Sequence, residues 1–172
     1  MTGPKISMVV AMDETRGIGK DNRIPWHLKE DLIRLKRLTL GHPVILGRTT
    51  YESMAGYYDK SGKEMPGKLY IAVSRDTSYT PKRSNAVAAH SIEEALEKAK
   101  KVEDREIFII GGQKIFEQTL ELADRLYLTI VKGNYGADAF FPEYKEFAKV
   151  IEEEHHTGEG FDYSFVTLEK GE

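Results

Sequence analysis

Cysteine is absent from the 172 residues, which removes disulfide frameworks, thiolate metal sites and cysteine nucleophiles at once. Basic runs are also absent. Lys98, Lys100 and Lys101 are interspersed with apolar residues and end a helix, and a net charge of -3 with a pI near 6.0 gives no electrostatic case for a nucleic-acid partner. No stretch approaches the ~20 apolar residues that cross a bilayer. Met1-Thr2-Gly3-Pro4-Lys5 leads into a strand-like run without the apolar centre of a signal peptide. The expectation is a soluble cytoplasmic monomer, one domain over 1–172, acting on small molecules without nucleic acid or membrane.

Several chemical signatures are missing as well. There is no GxSxG, Walker or GxGxxG pattern. His27, His42 and His90 lack metal-ligand spacing, and His155-His156, adjacent in a strand, point to opposite faces. No metal site is expected.

What remains is an alternation of apolar runs and helical periods. Ile6 to Met12, Val44 to Gly47, Leu69 to Val73, Glu106 to Ile110 and Leu126 to Val131 read as strands, most of them covered on both faces, with Asn85 to Ala89 a weaker one. A polar loop, Asp13 to Asn22, follows the first. Helices are expected after Pro25, from Arg48 to Met54, from Ser91 (a capping box with Glu94) to Lys101, and from Gln113 to Leu122. Residues 55 to 68 read as a polar loop. Phe147 to His156 and Phe161 to Lys170 alternate more and form a hairpin. The fold class is therefore α/β: a mostly parallel central sheet of about eight strands with an antiparallel C-terminal edge hairpin, flanked by about four helices.

Within the first helix, Leu28, Leu32, Leu35 and Leu38 recur at helical spacing and place Asp31 inside the apolar stripe. A carboxylate there is costly unless partnered. Two readings stand: an aspartate tied to a buried backbone group or an arginine, or a lone acid at the base of an apolar pocket. Ligands of such sheets bind beyond the carboxyl ends of the strands. There Gly111-Gly112, Arg48-Thr49-Thr50 and Ser74-Arg75 together favour a phosphate-rich cofactor.

The segments Ile24-Pro25-Trp26-His27-Leu28-Lys29-Glu30-Asp31-Leu32, Pro43-Val44-Ile45-Leu46-Gly47-Arg48-Thr49-Thr50-Tyr51-Glu52-Ser53, Ile109-Ile110-Gly111-Gly112 and Leu126-Tyr127-Leu128-Thr129 closely resemble the dihydrofolate reductase family in order and spacing. The resemblance spans Lys5 to about Glu169 and implies NADPH-dependent reduction of 7,8-dihydrofolate to tetrahydrofolate. It implies that Asp31 holds the pteridine edge, that Thr129 steadies its carboxylate, and that Trp26 orders a water and walls the pocket. Val9, Val10, Leu32, Leu35, Met54 and Ile110 match substrate-lining positions. Ala11, Ile18, Gly47, Arg48, Thr49, Thr50, Ser74, Arg75, Gly111, Gly112, Gln113, Lys114 and Ile115 match cofactor positions, with Arg48, Arg75 and Lys114 available to a 2′-phosphate. Three departures stand out. Lys68 replaces the usual arginine for the substrate's α-carboxylate, the loop after Met54 is enlarged, and Ala137 precedes Asp138 where glycine is common. The alternatives are the related pyrimidine reductase of riboflavin synthesis and a nucleotide-binding domain without catalysis.

Overall fold

In chain order the elements are β1 (Lys5–Asp13), β2 (Gly17–Gly19), α1 (Lys29–Thr39), β3 (Pro43–Gly47), α2 (Arg48–Ser61), β4 (Leu69–Val73), β5 (Ala86–Ala89) and α3 (Ile92–Lys100). Then come β6 (Glu106–Ile109), α4 (Gln113–Thr119) running into a 3-10 turn at Leu120–Leu122, β7 (Arg125–Val131), β8 (Ala139–Phe140), β9 (Lys149–Gly158) and β10 (Phe161–Glu169). The computed structural model describes residues 3–21, 23–102 and 105–171, so Asn22, at the end of the expected first loop, lies outside the described residues.

Eight strands form one sheet in the order β5-β4-β3-β6-β1-β7-β10-β9. Pairings from β5 across to β7 are parallel. Those of β10 with β7 and β9 are antiparallel, as the change from continuous to alternating patterning anticipates. Burial explains the apolar runs. Val10, Met12, Ile45, Ile71 and Ile109 join one core under α3 and α4, while Val9, Val44, Leu46, Ala72 and Phe108 join another under α1 and α2. A third cluster, Trp26, Leu28, Val131, Tyr163 and Phe165, covers the β7–β10 region at the entry to α1.

Helix α1 starts at Lys29, later than Pro25 alone requires. Trp26 and Leu28 are buried in extended chain against Tyr163 and Phe165, and that packing outweighs local helix propensity. Its buried face also differs from the leucine stripe. Leu35 and Leu38 are partly buried, Leu32 is 40% exposed, and the fully buried residues are Arg34 and Thr39.

Helix α2 continues to Ser61 where a loop was expected. Tyr51, Met54, Ala55 and Tyr58 share one face against the second core, and Gly62, at φ +69°, supplies the left-handed terminus. The enlarged segment after Met54 is therefore largely extra helix. In α3, Ser91 Oγ accepts the Glu94 N–H at 3.0 Å, while Glu94 Oε1 accepts from His90 N at 2.8 Å. The reciprocal bond of the capping box thus falls one residue early. The short β2 and β8, not foreseen, pair with each other beside the sheet.

Candidate active site

Because β1, β3, β4, β6 and β7 run the same way, their carboxyl ends share one edge of the sheet. That edge collects the residues singled out above. Ala11 of β1 is in register with Thr129 of β7. Ile110 and Gly111 follow β6, Gly47 ends β3 with Arg48 after it, and Ser74 and Arg75 follow β4.

Asp31, in the first turn of α1, faces β7. On β7, Tyr127, Thr129 and Val131 alternate toward the α1 side while Leu126 and Leu128 enter the opposite core. The Thr129 hydroxyl donates to Asp31 Oδ1 at 2.5 Å. Removal from water pushes the Asp31 pKa above its ordinary 3.8, while the Thr129 hydroxyl and the positive charge of Arg34 pull the other way. This acid is neither solvated on the surface nor locked in an ion pair. Nearby, the Trp26 indole N–H is buried and has no hydrogen-bond partner among the described residues, although such groups are rarely left unsatisfied.

Val9, Leu35, Met54 and Ile110 belong to one apolar cluster between the sheet, α1 and α2, and Leu32 sits exposed on the same helix as Asp31. Two expected substrate residues stand apart. Val10 turns its side chain into the opposite core, because adjacent strand residues face opposite ways. Lys68 precedes β4, at the amino end of the strands, and its Nζ donates to the Val102 carbonyl at 3.2 Å. The structure does not bring Lys68 to Asp31; it lies toward the far end of α1, where Gly41 N bonds Pro66 O.

The expected cofactor residues form a surface with little side-chain bulk. Gly47 N donates to Gly111 O at 2.8 Å, which draws the β3 and β6 ends together. Gly111 sits at φ +131°, where residues with a Cβ are strained, and its peptide to Gly112 is cis. A Cβ at Gly47 would lie 3.4 Å from Ile115 Cγ1, and one at Gly112 3.4 Å from Thr50 Oγ1. Helices α2 and α4 start here without an acidic residue in their first turns, so no carboxylate of those turns offsets their positive ends. Arg75 and Lys114 are exposed beside them. Arg48 is less free than its sequence position suggests. It reaches Glu52 and Asp76 at 3.3 Å each and stacks 4.1 Å over the Tyr79 ring. Gln113 Oε1 accepts the Phe140 N–H at 2.8 Å, linking the start of α4 to β8. Thr49 is exposed and Thr50 half-buried at the start of α2, while Ile18 packs against the core that holds Ile115.

Two residues escaped sequence reasoning. Asp13, fully buried at the end of β1, accepts from Thr15 N and Oγ1 and from Gly17 N through Oδ1, and from Tyr135 N through Oδ2, at 2.6–3.0 Å. Burial opposes its charge, but these donors together hold its pKa below 3.8. Asp13 thereby ties the loop carrying Ile18 to the one after β7. A second tie runs from Asp138, which bonds Gly19 O and accepts from Asp21 N. The other missed residue is Arg34. Its spacing of three from Asp31 was the available signal, masked by the leucines around it.

The family model for dihydrofolate reductase matches residues 5–170. A dihydrofolate reductase of Staphylococcus aureus (strain Mu50 / ATCC 700699) is 36% identical over 139 residues, covering 81% of this chain and 79% of that protein. Dihydrofolate reductase type 3 of Salmonella typhimurium is 36% identical over 169 residues, covering 96% and 98%. Among solved structures, the dihydrofolate reductase from Enterococcus faecalis complexed with NADP(H) and RAB-propyl superposes with a TM-score of 0.81 at 26% identity, covering 98% of this chain and 97% of that one. A match across almost the whole chain, joined to an acid and hydroxyl pair at the carboxyl edge of a parallel sheet, places this chain in the dihydrofolate reductase family.

Proposed function

We propose that the protein reduces 7,8-dihydrofolate to 5,6,7,8-tetrahydrofolate with NADPH, and that Asp31 is the residue that grips the pteridine. The observation that carries this reading is the desolvated Asp31 carboxylate, held at 2.5 Å by the Thr129 hydroxyl. With Oδ1 fixed by one hydroxyl, the carboxylate still has lone pairs for two donors from an amidine-like edge, in charge-assisted hydrogen bonds. The raised pKa keeps a proton beside that edge over a wider span of pH than an ordinary aspartate allows. The buried Trp26 N–H, without a partner among the described residues, is a donor for a bound water or for the substrate. Val9, Leu35, Met54 and Ile110 exclude water from the flat ring, and Leu32 covers it from the mouth. Lys68, exposed and donating to the Val102 carbonyl, is the cation for the substrate's α-carboxylate.

The cofactor residues fit NADPH. The glycines at the β3 and β6 ends admit a phosphate chain to the backbone, and the two helix starts favour its charge. Arg75 and Lys114, with Arg48 once released from Asp76, neutralise a 2′-phosphate. When bound, NADPH supplies the hydride. The protein orients the pteridine against the Asp31 carboxyl. The net charge of -3 fits small-molecule partners rather than nucleic acid, and we read the enzyme as a cytoplasmic monomer.

Loss of NADPH absorbance on adding dihydrofolate tests the activity. Asp31→Asn should greatly reduce turnover near neutral pH and leave NADPH affinity nearly intact. No NADPH consumption by the wild-type protein would refute the activity, and lost cofactor binding in the variant would displace Asp31 from its assigned role.

A further inference from the structure

The site as described leaves one buried charge without a purpose. Arg34 is 5% exposed, on the face of α1 that meets the sheet. Its Nη1 donates to the Leu128 carbonyl at 2.9 Å and its Nη2 reaches Thr167 Oγ1 at 3.5 Å. The guanidinium lies 4.5 Å over the Phe165 ring and 5.8 Å from that of Tyr127. Among the described residues, no carboxylate comes within ion-pair distance of it. Burying a cation for one carbonyl, one long hydroxyl contact and two rings is costly, and an apolar side chain would fill the same space more cheaply.

Its neighbours show what the charge faces. Arg34 lies three residues after Asp31, so the two are adjacent on the helix surface. The carbonyl it holds belongs to Leu128, bonded to the same Thr129 whose hydroxyl holds Asp31. From α1 it also meets the like charge of Arg37, from β7 Tyr127, and from the edge strand β9 Glu152. Glu152 and Arg37 are exposed, so water and salt screen them. Around Asp31 the groups are Thr129, Arg34 and, from β10, Tyr163. Of the opposite charges near Arg34, Asp31 is the one removed from water, and its pull on Arg34 is the largest influence opposing the cost of burial.

We propose that Arg34 is a positioning residue of the reductase site: its immobilised guanidinium supplies the positive charge that keeps Asp31 in the anionic form that grips the pteridine edge. The inference rests on the function proposed above and deepens it. Arginine suits the role because its planar fork reaches two strands at once and stacks on a ring, so the charge cannot swing out to water. Without it, a single hydroxyl would oppose the desolvation of Asp31.

The test is a carbon-detected NMR titration of the Asp31 carboxyl in the ligand-free protein, with kcat/KM for dihydrofolate measured against pH. Wild type is compared with Arg34→Gln, Arg34→Lys and Glu152→Gln. The Asp31 midpoint should move up in R34Q, return most of the way in R34K and stay in place in E152Q, with the matching limb of the pH profile moving alike. A merely structural role would lower thermal stability without moving the midpoint, and that result overturns the proposal. So does an equal upward shift in R34K, because the charge would then not be the agent. Should R34Q fail to fold, Arg34→Met, which refills the stem's contact with Phe165, carries the same comparison. The titration needs no substrate, so an inactive wild type would refute the reductase reading while the midpoints still decide whether Arg34 governs Asp31.

Discussion

Gly17 gives the sharpest test of how the two loops over the cofactor edge fit together. A Cβ on Gly17 would fall 2.4 Å from Ala137 Cβ and 3.0 Å from both carboxylate oxygens of Asp13. Two carbons are comfortable at about 3.5–4.0 Å, so Gly17→Ala forces the loops apart by roughly an ångström. It also strains the Gly17 N–H bond to Asp13 Oδ1. Overpacking of this kind costs about 1–3 kcal/mol, which for a chain of this length lowers Tm by about 2–12 °C. Ala137→Gly removes the nearest clash and leaves the two 3.0 Å contacts. The double variant should therefore recover most, not all, of the loss, with a coupling of about 0.5–3 kcal/mol in a double-mutant cycle. Thermal unfolding of wild type, both single variants and the pair measures it, and NADPH affinity should follow the same order because Ile18 is on the displaced loop. A Gly17→Ala protein within about 0.5 kcal/mol of wild type, or losses that simply add, would refute the packing argument. In this chain the methyl group of Ala137 fits because Gly17 opposite it has no side chain.

Other expectations concern the acid and the substrate tail. Folded Asp31 holds its proton more tightly than the unfolded chain does, so its contribution to stability declines as pH rises from the ordinary 3.8 through the raised folded value. Asp31→Asn should thus melt higher than wild type at pH 7, with the gap closing in acid; a gap independent of pH in calorimetry would contradict this. Thr129→Val removes a hydrogen bond to a charged group worth about 1.5–3 kcal/mol, so kcat/KM should drop about 10- to 150-fold, and steady-state kinetics showing less than a threefold change would argue against the contact. Lys68→Arg should lower the Michaelis constant for dihydrofolate and leave that for NADPH unchanged, because a two-pronged donor holds a carboxylate better than a point charge.

The centre of the sheet was legible because strands such as β1, β3 and β4 are plain apolar runs covered on both faces, and the edge hairpin because its patterning alternates. Helix α2 was readable past Met54, since Tyr51, Met54, Ala55 and Tyr58 keep helical spacing up to Gly62. The glycines, tyrosines and lysines of that stretch suggested a loop when weighed by composition alone. Arg34 was hidden for a different reason. Burying an arginine is unfavourable in isolation, and only the distant partners Leu128, Phe165 and Thr167 make the position tenable. Asp13 likewise looks like a strand end entering a polar turn until the loop after β7 arrives, more than a hundred residues later, to bond it. Pairing of β2 with β8 spans a similar separation. Elements specified by their own periodicity could be read from the chain, whereas contacts made by loop closure could not.

Local rules and global packing disagree at several places in this protein, Val150 and Leu40 in water among them, and four of the conflicts share one edge. Asp31 is desolvated, Trp26 buries an N–H with no partner among the described residues, Leu32 leaves an apolar side chain in water, and Gly111 adopts a backbone that a residue with a Cβ would resist. Each is unfavourable for folding alone, and all four lie by the carboxyl edge of the sheet. Single exposed apolar side chains elsewhere need no explanation, whereas a desolvated acid, a buried indole N–H and a strained backbone together are what a binding surface retains at the expense of stability. On the proposed function, a flat, nitrogen-rich ring would answer three of them together: it would give the carboxylate its donors, cover the leucine and bring polar atoms within reach of the indole. A phosphate chain answers the fourth, since close approach to the backbone is what the missing side chains permit. On that proposal, the residues that make the free protein less stable than it could be are the ones that would specify the chemistry of what it binds.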